Sequence, residues 1–130
     1  MRTLFFFANL SVYIMEVINM TTNKTTSEYA REFDKNCIGW TEDRLHNIGL
    51  LLLYEHYFDA IFRTEGKLYL NDVYRELGIP EEDKYSKVGW LRGSDGNDGY
   101  VDFGLIGSID RKGEGSNVML DFNVDGTIDY

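Results

Sequence analysis

Only one cysteine, Cys37, stands among the 130 residues, which excludes an internal disulfide framework and a thiolate zinc site. The single proline, Pro80, leaves no proline-rich linker. Positive charge is scarce, with 13 Lys and Arg against 22 Asp and Glu, for a net charge of −9 and a pI near 4.6. Proteins that grip nucleic-acid phosphates neutralise them with Lys and Arg, so direct nucleic-acid binding is not expected. The two histidines, His46 and His56, lie ten residues apart. At about 100° per residue they fall on different faces of one helix and cannot share a metal without outside ligands. No phosphate-binding glycine loop, nucleophile elbow or zinc spacing occurs. No enzyme activity, catalytic residue or cofactor is therefore expected.

Long apolar runs are missing too. Residues Leu4 to Met15 (LFFFANLSVYIM) follow a lone Arg2 and end at Glu16. A membrane span needs about 20 apolar residues, and a signal peptide needs a small-residue cleavage site that Glu16-Val17-Ile18-Asn19 lacks. The codons of Met15-Glu16-Val17 can contain GGAGG, the core of a bacterial ribosome-binding site, a short distance before Met20. Residues 1–19 therefore read as a mis-called leader or a poor hydrophobic segment, with translation starting at Met20. No membrane partner is expected unless residues 1–19 are real.

What remains is enough for one core, with 43% hydrophobic and 15% aromatic residues. Residues 20–40 read as a polar terminus and a short helix capped by Ser27, with Tyr29 and Phe33 as an i, i+4 apolar pair. Residues 41–130 read as a single α+β domain. Thr41 is the expected cap of a long helix reaching about Arg63, apolar nearly all round between Ile48 and Tyr54 and so packed on more than one side. Glu55, His56 and Asp59 read as a solvated polar stripe of that helix. Lys67–Leu70 reads as a strand, Asn71 as the cap of a helix from Asp72 to Leu77 closed by Gly78, and Val88–Leu91 as a second strand. Tyr100–Ile106 and Val118–Val124 alternate strictly and read as a C-terminal antiparallel hairpin around the loop Gly107–Asn117. The fold expected is one long core helix and a short helix packed on a small, mostly antiparallel sheet. Its core residues would be Leu45, Ile48, Leu52, Phe58, Phe62, Leu70, Val73, Leu77, Trp90, Val101, Phe103, Leu105, Val118, Leu120, Phe122 and Val124.

Residues 93–130 hold eight carboxylates against Arg111 and Lys112, which places −6 of the −9 net charge there. Asp95, Asp98, Tyr100, Asp102, Asp121 and Asp125 are the expected partner-binding residues. Period two puts Asp102 and Asp121 side by side on an exposed sheet face, where like charges repel. Asp121-Phe122-Asn123-Val124-Asp125-Gly126-Thr127-Ile128-Asp129 matches the first nine positions of an EF-hand loop, with Asp121, Asn123, Asp125 and Asp129 as weak calcium ligands. The glutamate needed at position 12 is missing, and the preceding residues have the period of a strand rather than a helix. A turn at Asp125-Gly126 is therefore the favoured reading.

The motifs Leu68–Ile79 (LYLNDVYRELGI), Val88-Gly89-Trp90, Tyr100–Phe103 and Leu120–Gly126 carry a resemblance over about residues 57–130. The chain resembles the C-terminal domain of an uncharacterised family carried by bacteriophages and by prophages of Gram-positive gut bacteria. Longer relatives carry a membrane-type N-terminal region, from which this chain departs. No catalytic residues are established in the family, so none transfers. The resemblance implies a small phage or prophage accessory or structural protein, found in the host bacterial cytoplasm or the virion and acting by contact with a protein partner. One alternative is an acidic nucleic-acid mimic that inhibits a host nucleic-acid-binding defence protein. A calcium-binding module at the C-terminal acidic turn is the other.

Overall fold

The computed structural model describes residues 26–94, 98–109 and 115–128. The expected leader over residues 1–19 lies outside the described residues, as do residues 110–114 of the glycine-rich loop.

The long helix, α1 (Arg44–Glu65), begins where Asp43 caps it. The Asp43 carboxylate accepts hydrogen bonds from the N–H groups of Leu45 (3.0 Å) and His46 (3.3 Å). Thr41, expected as the cap, sits outside the helix; its hydroxyl accepts from Asp43 N–H and its own N–H donates to Asn47 Oδ1. Asn47 is fully buried, and its amide donates to the carbonyls of Thr41 (2.7 Å) and Ser116 (2.8 Å). One side chain thus ties the entrance of α1 to the chain before the last strands. Gly66 ends the helix at a φ of +83°.

The buried face of α1 is Asn47, Ile48, Leu51, Phe58 and Phe62. The expectation of a helix packed on several sides is overturned, and two of the expected core residues go with it: Leu45 is 80% exposed and Leu52 is 43% exposed. At 100° per residue the five buried positions share an arc of about 100°. Leu50, Tyr54 and Ile61, partly buried against the core, widen the covered side to about 160° and leave the opposite side outward.

Strand β2 (Lys67–Tyr69) pairs antiparallel with β3 (Val88–Leu91), placing Leu68 opposite Trp90 and Tyr69 opposite Gly89. A methyl group on Gly89 would lie 2.0 Å from the carbonyl oxygen of Leu68, so only glycine lets the two strands approach. On its other edge β3 pairs antiparallel with β5 (Gly126–Thr127). The short helix α2 (Leu70–Leu77) follows β2 directly, and Gly78 provides the expected left-handed exit at a φ of +80°. Asn71 is not its cap. Lying inside the first turn, Asn71 donates to Glu82 C=O (2.9 Å) and accepts from Glu82 N–H (3.1 Å), which pins the loop after the helix.

Two further expectations yield to tertiary pairing. Residues 31–33 form β1 (Arg31–Phe33) rather than a helical turn, and β1 pairs antiparallel with β4 (Val118–Leu120). This splits the Tyr29/Phe33 pair: Phe33 is fully buried, while Tyr29 stacks edge-on against Tyr85 at 5.1 Å. Pairing satisfies the backbone of both short strands, which local helix propensity cannot do. The C-terminal hairpin is the second. Val101, Phe103 and Leu105 are buried and Tyr100, Gly104 and Ile106 exposed, so the alternation is real. Residues 100–104 form no strand, but they do lie beside the later segment, while the β4 ladder is with β1. Two backbone hydrogen bonds just past β4 join them, from Asp121 N–H to Phe103 C=O and from Asn123 N–H to Asp102 C=O. A single turn, α3 (Ile106–Ile109), follows. The architecture is α+β, with the helices packed on two small antiparallel sheets. The remaining expected core residues are buried except Val124, which is partly so.

Candidate functional site

Segment 101–104 is held partly by the backbone, its Phe103 and Asp102 carbonyls accepting from the N–H groups of Asp121 (2.9 Å) and Asn123 (3.2 Å), and otherwise by side chains. Four successive N–H groups are accounted for: Val101 donates to Asp59 Oδ1 (3.0 Å) and Asp102 to Asn123 Oδ1 (2.8 Å). Phe103 donates to Glu55 Oε2 (2.8 Å) and Gly104 to Asp102 Oδ1 (2.8 Å). Glu55 and Asp59 are one helical turn apart on α1, so their carboxylates reach alternate N–H groups of an extended chain lying along the helix. They are anchors, and the solvated stripe expected from the sequence is incorrect for both.

The electrostatics differ between the two anchors. Burial pushes the Glu55 carboxyl above its ordinary range, and the nearby Asp102 and Asp59 charges add to this against the Phe103 hydrogen bond. Burial also raises the Asp59 carboxyl, but hydrogen bonds from Arg63 (2.7 Å) and Val101 outweigh it, leaving Asp59 below its ordinary range.

Asn123 is the hub of the C-terminal segment. Its Oδ1 accepts from Trp90 Nε1 (2.7 Å) as well as Asp102 N–H, and its amide donates to Asp98 Oδ2 (2.9 Å) and Tyr100 C=O (3.0 Å). The structure therefore brings together Asp98, Tyr100 and Asp102 of the expected partner-binding set. Tyr100, 45% exposed, stands beside Asp98 and Asp102, whose charges push its phenol upward with smaller help from burial and Glu55. Asp121 and Asp125 are placed elsewhere. The Asp121 carboxylate accepts from the N–H and hydroxyl of Ser27, while Asp125 accepts from Leu91 N–H (2.8 Å). The expected exposed pair Asp102/Asp121 is thus two half-buried carboxylates, each held by its own donors. Asp95 and Asp129 lie outside the described residues.

This arrangement bears on calcium. A cation at the Asp121–Asp129 turn would compete with Ser27, Trp90 and Leu91 for the oxygens of Asp121, Asn123 and Asp125. Among the described residues no group of three or more His, Cys, Asp or Glu side chains is disposed to hold a metal ion. Cys37 is half-buried, and burial pushes its thiol upward.

A second surface was not expected. On the outward side of α1, Leu45, Gly49, Leu52, Leu53, His56, Tyr57 and Ala60 are all exposed. Leu53 is 69% and Tyr57 53% exposed, well above the usual scatter of single apolar residues. Beside them Leu50, Leu53, Tyr54, Tyr57 and Glu76 line a shallow depression of about 260 Å³ between α1 and α2. The signal was present in the sequence: a helix apolar all round, in a domain able to cover only one side, presents the rest outward. No helix among the described residues is long and apolar enough to cross a membrane, so this face belongs to no spanning helix of that kind.

Among known proteins, no curated protein and no solved structure matches this chain. A family model does, and its match begins at residue 12, ahead of Met20. Over residues 12–130 the chain matches the family of unknown function DUF6353, and it belongs to that family.

Proposed function

We propose that this chain acts by protein–protein contact and carries no catalytic step, as an accessory or structural protein of phage or prophage origin. The observation that supports this reading is the outward apolar face of α1 from Leu45 to Ala60, with its adjoining depression. Contiguous exposed leucines and a tyrosine cost solubility and leave most of their apolar surface outside this chain's own core, whereas a partner that covers them gains the burial. The face is tested by affinity capture from cells that express the full chain, comparing it with the variants Leu53→Glu and Tyr57→Glu. Loss of the captured partner in both variants, with circular dichroism unchanged, supports the reading. Capture that is insensitive to both variants refutes it.

A second reading, the acidic nucleic-acid mimic, is favoured by the carboxylates of Asp98 and Asp102 around exposed Tyr100. Its partner would be a basic nucleic-acid-binding protein. Such a contact is lost in Asp98→Asn/Asp102→Asn and weakens steeply with salt, whereas an apolar contact through α1 survives salt. Asp121 and Asp125 are engaged by Ser27 and Leu91, which narrows the acidic surface that a mimic has to offer.

A further inference from the structure

We infer that the outward face of α1 is self-complementary and receives a second copy of this chain, the two helices running antiparallel. The inference rests on the reading of that face as a contact surface and names its occupant.

Three features of α1 point to a second α1. First, the exposed seam of Leu45, Gly49, Leu52, His56, Ala60 and Arg63 advances by three or four residues at each step. That spacing keeps one stripe in register with a neighbouring helix. Second, Gly49 lies mid-helix and exposed, and a methyl group built on it would meet nothing within 4 Å. Glycine weakens an exposed helix interior relative to alanine, so its own fold supplies no reason for glycine there. Close approach by a second helix supplies one. Third, the ends of the seam carry opposite charge. Exposed Glu42 precedes the helix, and Arg63 lies in its last turn, its Nε engaged by Asp59 but its side chain still 61% exposed.

A two-fold axis between Leu52 and Leu53 satisfies all three at once. It sets Leu52 against the partner's Leu53, Gly49 against the partner's His56, and Leu45 against the partner's Ala60, so each small residue faces a larger one. The same axis brings the Glu42 end of each helix beside the Arg63 end of its partner. Antiparallel packing also opposes the two helix dipoles favourably. A parallel pair would place Glu42 beside Glu42 and Arg63 beside Arg63, which like-charge repulsion disfavours.

The test is sedimentation equilibrium on the full chain and on Gly49→Gln. Glutamine is a good helix former and has open space at this position, so the variant keeps its fold, which circular dichroism checks. The expected result is a concentration-dependent doubling of mass in the parent and a monomer in Gly49→Gln. Orientation is read by adding a short bifunctional maleimide to Cys37→Ala chains carrying Glu42→Cys or Arg63→Cys. An antiparallel pair cross-links in a mixture of the two and in neither alone. A parent that stays monomeric, a Gly49→Gln variant that still doubles, or self-cross-linking of either cysteine variant overturns the inference. If the parent is monomeric while Leu53→Glu still abolishes partner capture, the contact-surface reading stands and only the second copy is refuted.

Discussion

Replacing Asn123 by alanine removes a side chain that joins β3 to the extended segment 98–103. Two donors lose their acceptor, Trp90 Nε1 at 2.7 Å and Asp102 N–H at 2.8 Å. Trp90 is 1% exposed, so water does not readily replace the lost acceptor. A buried donor left unpaired costs about 1–3 kcal/mol. The two share one oxygen and are close in space, so their costs do not add fully. The expected loss is about 2–4 kcal/mol, a large fraction of the roughly 5–15 kcal/mol that holds a domain of this size folded. Urea unfolding followed by tryptophan fluorescence measures it, with an unchanged slope showing that both states stay comparable. Asn123→Asp separates the two halves of the hub, because it keeps the acceptor oxygens and replaces the amide donor. A carboxylate would then face Asp98 Oδ2, now 2.9 Å from the amide nitrogen. Its destabilisation should shrink as the pH falls and the carboxyls protonate. A loss below about 0.5 kcal/mol in Asn123→Ala would refute the hub.

Further outcomes follow from the same geometry. Because the Glu55 carboxyl is raised in the folded protein, its ionisation opposes folding: its contribution is fully present below the ordinary glutamate range and is lost as pH rises through the folded value. Glu55→Gln should therefore raise the Tm near about pH 7 and leave it unchanged near about pH 3.5. The opposite pattern in paired melts would contradict the assigned burial. Gly89→Ala drives a methyl group to 2.0 Å from Leu68 C=O, so cooperative unfolding should be absent at room temperature; a normal melt would show that β2 and β3 are spaced wider. Asp43→Ala should cost about 1 kcal/mol by chemical denaturation, since Asp43 supplies the cap of α1, while Thr41→Val leaves that cap in place. Millimolar calcium should leave the Tm unchanged by scanning calorimetry; a rise would show that the Asp121–Asp129 turn binds the ion after all.

Elements set by local chemistry were legible in the sequence. Gly78 ends α2, Val88–Leu91 is a strand, and the alternation at 101–105 and 118–122 sorts buried from exposed side chains correctly. Strand partners were not legible, because period two says which face is buried and nothing about which backbone lies alongside. Val118–Leu120 pairs with Arg31–Phe33, some 85 residues away in the chain, while the nearer segment keeps only two backbone bonds, to Asp121 and Asn123, and only the assembled core selects that division. The helix caps failed for a related reason. Asp43 and Thr41 are both good caps, and Asn47 fixes the choice by holding Thr41 back through a side chain six residues on. Glu55 and Asp59 looked solvated because their acceptor role depends on a segment more than 40 residues downstream. Of the expected partner-binding residues, the structure gathers Asp98, Tyr100 and Asp102 and puts Asp121 and Asp125 to internal use. The apolar face of α1 was hidden inside the assumption that apolar means core.

The central claim, that this face is where the protein meets its partner, is tested most directly by photo-cross-linking in cells that express the full chain. A photoreactive phenylalanine analogue would be placed at Leu53, at Tyr57, at Tyr100 and, as a control, at exposed Thr127. The account predicts a discrete cross-linked product at positions 53 and 57 and none at 127, its mass identifying a second copy or another protein. Products confined to position 100, or none at 53 and 57, would contradict it.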